Sequence, residues 1–188
     1  MSFTIDTRSG LLEPSRSCLS PNRDSRPDGA APCLVVVHGI SLPPGRFGGT
    51  EIEDLFCNRL DWDAHPYFDG LRGLEVSAHL LVRRDGEVVQ FVPLKERAWH
   101  AGDSCFRRRS CCNDFSIGIE LEGENETAYD DRQYDVLCAI IAALIKAYPD
   151  ISARDVAAHS DIAPGRKTDP GPAFDWLRLY DGLNAHLT

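Results

Sequence analysis

Leu34-Val35-Val36-Val37-His38-Gly39 reads as a short β-branched run, a buried strand, that ends in a histidine and a turn. Val156-Ala157-Ala158-His159 repeats the arrangement far downstream. If the two strands lie side by side and parallel, both imidazoles emerge at the same end of the sheet. That end is where sheets with parallel strands bind ligands. Asp169 lies ten residues past His159, on a Pro/Gly loop that can bring it back to the same edge.

Working outward, Ser116 to Glu122 alternates, with Ile117, Ile119 and Leu121 on one face and Ser116, Gly118, Glu120 and Glu122 on the other. Val76 to Arg83 alternates as well. Asp85-Gly86 then predicts a hairpin turn with both positions at positive φ, and Glu87 to Val92 a return strand. Thr50, with Glu53 three residues later, predicts a capping box and a short helix to about Asn58. Asp130 and Gln133 predict a second box opening the longest helix, which Pro149 ends. Asp175 to Leu187 is a final amphipathic helix. Residues 1–30 show neither period and read as an extended arm, followed by one domain over 31–188. The fold class expected is α+β or mixed α/β, with a central mixed sheet flanked by helices.

The 188 residues suffice for one domain that buries roughly 70% of its unfolded surface. Apolar residues at 43% and charged residues at 26% describe an ordinary folded chain rather than a disordered or fibrous one. No apolar run is long enough to span a membrane. A net charge of −9 argues against nucleic acid as a partner. The N-terminal sequence lacks a basic segment followed by an apolar core, so a cytoplasmic protein is expected. Seven cysteines without a C-x-x-C pair then read as reduced thiols.

Two histidines and one carboxylate leave a fourth position open on zinc, the pattern of a catalytic site. Polar strand ends and a turn-forming Asp before Pro170 are the bland alternative. Glu120 could take a proton from a water at such a site, or stand as a solvated strand residue. Lys167 could face an oxyanion or be a surface lysine. His79, His100 and His65 compete as ligands, and Trp99-His100 reads as a substrate wall. A thiol nucleophile at Cys111-Cys112 is a further alternative, without a local sign of an activated thiol.

Six segments taken together are recognisable: V-V-H-G-I-S-L-P-P-G-R-F-G-G (36–49), A-H-P-Y-F (64–68), S-A-H-L-L-V-R-R-D-G (77–86), A-W-H-A-G (98–102), C-N-D-F-S-I-G-I-E-L-E-G (112–123) and H-S-D-I-A-P-G-R-K-T-D-P-G-P-A-F-D-W (159–176). Over about residues 30–178 the chain resembles the zinc amidases of bacterial cell-wall recycling. These belong to the wider family shared with phage lysozyme-type amidases and peptidoglycan recognition proteins. The resemblance implies zinc on His38, His159 and Asp169, Glu120 as the catalytic carboxylate, and Lys167 as the oxyanion stabiliser. It implies hydrolysis of the amide between the lactyl group of 1,6-anhydro-N-acetylmuramic acid and L-alanine of a muropeptide; a monomer is expected. Two positions depart from the family: Gly39, where Asn is common, and Cys111, where Arg is common. Arg107, Arg108 and Arg109 just upstream are expected to replace that arginine on the substrate's carboxylates. A non-catalytic peptidoglycan-binding module and an amidase of intact murein are the competing readings.

Overall fold

The 34–40 stretch is the second strand of a six-stranded sheet in the computed structural model, which describes residues 2–187. Positions 1 and 188, the outer ends of the expected arm and domain, lie outside that range. In chain order the strands are β1 (Arg16–Ser17), β2 (Leu34–Ile40), β3 (Leu80–Val82), β4 (Val88–Gln90), β5 (Ser116–Glu122) and β6 (Val156–Ala158). Across the sheet they run β6-β2-β5-β3-β4-β1. β6, β2, β5 and β3 are parallel, β4 is antiparallel to β3, and β1 pairs with β4 in parallel. The sheet is therefore mixed.

Register does the positioning. Glu120 sits opposite His38, and Ala158 opposite Val37, so His159 follows at the level of His38.

The helices are α1 (Glu51–Phe56), α2 (Asp131–Ala147), α3 (His159–Ile162) and α4 (Trp176–Leu187). Ile117, Ile119 and Leu121 are fully buried with Leu137, Ile140, Ile141 and Leu144 of α2 and with Leu179 and Leu183 of α4. Each such aliphatic side chain contributes about 1.5–3 kcal/mol relative to exposure. The other face of the sheet meets α1 through Leu55, Phe56, Leu81, Val89 and Phe91. α2 starts as expected: the Asp130 carboxylate accepts from the Arg132 N–H at 3.0 Å, and the Gln133 side chain accepts from the Asp130 N–H at 3.0 Å.

Four local expectations change. Thr50 opens α1 with its carbonyl, which accepts from the Asp54 N–H at 2.8 Å, but its side chain makes no cap; the hydroxyl donates to Asp54 Oδ2 at 2.8 Å, and Glu53 is taken by Arg16 and Arg83. In the hairpin only Gly86 has positive φ. The Gly86 N–H donates to Arg83 O at 2.9 Å and the Arg83 N–H to Glu87 O at 2.9 Å, so the connection is a three-residue turn with a glycine bulge. The hairpin strands are also shorter than their alternation, because the chain leaves the ladder at both ends. His159 opens α3 instead of a loop.

Residues 2–30 are woven into the fold. Thr4–Asp6 and Leu11–Glu13 form a hairpin, Arg16–Ser17 is the sheet edge, and Arg23–Ser25 pairs with Glu96–Ala98. Arg26 is buried and donates to the carbonyls of Leu94, Asn113, Asp114 and Ser116. These strands are two or three residues long, too short to show a period.

Candidate metal and catalytic site

His38 lies two residues before the end of β2, and His159 begins α3 directly after β6. The turn into α3 is fixed by Asp161, whose carboxylate accepts from the Ala158 N–H at 3.0 Å. The loop carrying Asp169 is pinned back by Ser160 N–H to Asp169 O at 3.0 Å and by the Tyr129 hydroxyl to Pro170 O at 2.9 Å. Gly39 makes that hydroxyl's position possible, since a Cβ there would overlap it. A larger residue there would require the Tyr129 hydroxyl to move.

Three donor atoms converge. His38 Nδ1 and His159 Nδ1 are 2.9 Å apart, and Asp169 Oδ2 is 3.0 Å from the second and 3.3 Å from the first. Tetrahedral zinc with bonds of about 2.0–2.2 Å wants ligand atoms about 3.3–3.5 Å apart. The triangle is within a few tenths of an ångström of that size, and its donor set of two imidazoles and a carboxylate suits zinc. Burial holds the His38 imidazole down at about 4 despite its hydrogen bond to Asp169, so the neutral, ligating form prevails at neutral pH. Burial alone would raise the Asp169 carboxyl, but hydrogen bonds from His159 and His38 outweigh it and keep it ionised.

Glu120 stands beside this triangle, one strand over and in register with His38. It is 8% exposed, and its Oε2 is buried with no hydrogen-bond partner among the described residues. Burial, with the Asp169 charge adding to it, pushes its carboxyl well above the usual range, and Lys167 works against that. An unpartnered carboxylate oxygen inside a site is an acceptor in waiting.

His100 lines the space in front of the triangle together with Trp99, where its pairing with Trp99 set it, and it also reaches the first histidine. Its Nδ1 lies 2.9 Å from His38 Nε2 and its Nε2 3.2 Å from the Ser116 hydroxyl, which donates to Cys112 O at 2.5 Å. With His38 Nδ1 turned to a metal, His38 Nε2–H donates to His100, and His100 to Ser116. The ring lies flat on Gly118, where a Cβ would meet it at 2.5 Å. A glycine on the polar face of an alternating strand was the available signal for this ring. His79 is engaged elsewhere, its Nδ1 accepting from the Gly118 N–H at 3.0 Å. His65 accepts from the Tyr67 N–H at 3.1 Å, outside the triangle.

The triangle opens into a cavity of about 580 Å³. Trp99, Lys167 and Glu120 line it, together with Tyr67, Leu71 and Leu74 from one side and Glu124 to Glu126 from the other. The second and third groups come from turn-rich segments whose sequence carries no period.

The arginine triplet is not among the lining residues. Arg107 donates to Asp155 Oδ1 at 2.6 Å, and the Arg109 guanidinium stacks 3.9 Å from the Phe115 ring and 3.6 Å from Cys33 Sγ. Asp155, Cys33 and Phe115 immediately precede β6, β2 and β5. The triplet therefore lies at the starting ends of the parallel strands, while the histidines leave their finishing ends. Four residues of strand, about 13 Å, separate those levels. Proximity in sequence to the strand bearing Glu120 misled, because that strand begins far from its functional end.

The model of the family described as N-acetylmuramoyl-L-alanine amidase matches residues 28–172. The 1,6-anhydro-N-acetylmuramyl-L-alanine amidase AmpD of Escherichia coli K12 is 58% identical over 170 residues, covering 90% of this chain and 92% of that protein. The crystal structure of a selenomethionine derivative of AmpD superposes with a TM-score of 0.92 at 55% identity, covering 95% of this chain and 98% of the other. More distantly, AmiD from E. coli, solved in complex with the substrate anhydro-N-acetylmuramic acid-L-Ala-D-γ-Glu-L-Lys, matches with a TM-score of 0.58 at 26% identity. That match covers 96% of this chain and 65% of the other.

Proposed function

Because the chain belongs to the N-acetylmuramoyl-L-alanine amidase family, we propose that it hydrolyses the amide between the lactyl group of 1,6-anhydro-N-acetylmuramic acid and L-alanine in soluble muropeptides. The observation that carries this reading is the convergence of His38 Nδ1, His159 Nδ1 and Asp169 Oδ2 beside the unpartnered Glu120 Oε2. His38, His159 and Asp169 would hold zinc. Bound there, zinc supplies Lewis acidity toward the attacking water and the scissile carbonyl.

The remaining work belongs to side chains. Glu120 takes the proton of the attacking water at Oε2 and returns it to the alanine nitrogen as the amine leaves. Its raised pKa suits it to hold that proton between the two events. Lys167 sets an ammonium at the cavity wall, where it meets negative charge that grows on the carbonyl oxygen only as the transition state forms. His100 keeps the His38 ring turned with Nδ1 inward. A cavity of about 580 Å³ fits one sugar with the start of its peptide better than a polymer. All these groups come from one chain, so the reading needs no partner subunit, and seven free thiols suit a cytoplasmic enzyme.

The test offers the protein anhydromuramyl-tripeptide and intact murein in parallel, with products resolved by mass spectrometry. The reading expects free tripeptide with an alanine N-terminus, plus the anhydro sugar, from the soluble substrate. Release from murein alone would make it a murein amidase. Binding of both without cleavage would make it a recognition module.

A further inference from the structure

Cys18 and Cys57 stand apart from the other thiols. Their sulfurs are 3.5 Å apart, in direct contact, although 39 positions separate them in sequence. Cys18 follows β1 at the sheet edge, and Cys57 closes the C-terminus of α1, its N–H donating to Glu53 O at 3.0 Å. The backbone around the pair is held in place. The Ser20 hydroxyl donates to Phe56 O at 2.5 Å, and Asn22 and Asn58 exchange side-chain hydrogen bonds at 2.8 and 2.9 Å. The two thiols therefore meet by construction of the surrounding loops. Both side chains are half-buried, within reach of a small oxidant.

We infer that Cys18 and Cys57 form a dithiol site that small disulfide oxidants, such as oxidised glutathione, convert to an intramolecular disulfide. In the first step Cys18 attacks one sulfur of the oxidant, giving a mixed disulfide and one released thiol. In the second, Cys57 attacks the Cys18 sulfur and expels the second thiol. Two electrons pass from the cysteine pair to the oxidant, and the two cysteine protons end on the two released thiols. The order follows from the surroundings. The Arg59 guanidinium lies 3.9 Å from Cys18 Sγ, a positive neighbour for the attacking sulfur. Burial, with Cys18 adding to it, pushes the Cys57 thiol up to about 12. Once Cys18 carries the leaving group, the part of that rise due to the Cys18 thiol is removed, while burial remains and Arg59 still favours the Cys57 thiolate.

The bond would staple the N-terminal edge of the sheet to the helix whose Leu55 and Phe56 line the cavity. It touches none of the metal-binding side chains, so it acts on stability and on the stiffness of that wall. The closed loop of about 40 residues should raise the melting temperature by about 5–10 °C.

The experiment equilibrates the full-length, zinc-loaded protein in glutathione buffers of graded potential, quenches in acid, and counts alkylatable thiols after denaturation. The expected result is a single two-electron step from seven free thiols to five, a peptide linking positions 18 and 57, and the rise in melting temperature. In Cys57→Ala a glutathione adduct should accumulate on Cys18, whereas Cys18→Ala should leave Cys57 largely unmodified. Peptide mapping of the unsubstituted protein decides the matter even if a variant fails to fold. Seven free thiols at every potential, or linkage through Cys33, Cys105 or Cys111 in place of this pair, would overturn the inference.

Discussion

At the scale of single residues, the account rests on two groups that lack each other's chemistry. Glu120 Oε2 has nothing to accept from among the described residues, whereas His100 has both ring nitrogens engaged. Glu120→Gln keeps the shape and removes the proton acceptor. Turnover should fall about 10²–10⁴-fold with zinc content unchanged, and a near-normal rate in that variant would remove Glu120 from the chemistry. His100→Ala should do the reverse. Zinc affinity, measured by competition with a chelator, should weaken about 10–100-fold because the His38 ring loses its orienting partner. Unchanged affinity would leave His100 a wall residue only. His38, His159, Asp169, Glu120 and Lys167 were visible in the sequence through strand ends, one alternating face and a family resemblance. That His100 also reaches His38 was hidden, because that partner stands 62 residues away and Gly118 marks only the space for the ring.

At the scale of elements, what the sequence could and could not show divides by length. β2 was legible as a β-branched run, β5 and α2 because seven or more residues carry a period, and the Asp130–Gln133 box marks where α2 starts. The Thr50–Glu53 box was not made, because Glu53 is recruited by tertiary partners. It accepts from Arg16 at 2.6 and 3.0 Å and from Arg83 at 2.6 Å, joining β1, the hairpin and α1. Arg16, then Arg83, holds the Glu53 carboxyl down at about 2 against the effect of burial. A depressed folded pKa contributes stability that is complete above the unfolded value of about 4.5. It is lost as pH falls from there toward about 2. The full contribution is on the order of 3 kcal/mol. Urea unfolding of metal-free protein should therefore show Glu53→Gln less stable at pH 7 by about that amount, with the gap closing between pH 4.5 and pH 2. A gap independent of pH would mean that the ion pairs are not its source.

At the scale of the whole molecule, a chain of net charge −9 takes an anionic substrate under the proposed function, and the arginine triplet was the expected remedy. The fold denies it that role by setting the triplet at the wrong end of the parallel strands, with Arg107 already paired to Asp155. Replacing Arg107, Arg108 and Arg109 together by Gln should leave KM for muropeptide unchanged even at low ionic strength, where charge contacts are least screened. A several-fold rise would bring the triplet back to the substrate. What the fold does instead is gather three parallel strand ends and one returning loop around a single point. The most direct test of that claim is anomalous diffraction at the zinc absorption edge from crystals of the zinc-loaded protein. The account predicts one strong peak about 2.0–2.2 Å from His38 Nδ1, His159 Nδ1 and an Asp169 carboxylate oxygen; a peak ligated by His79 or His100, or none within that triangle, would contradict it.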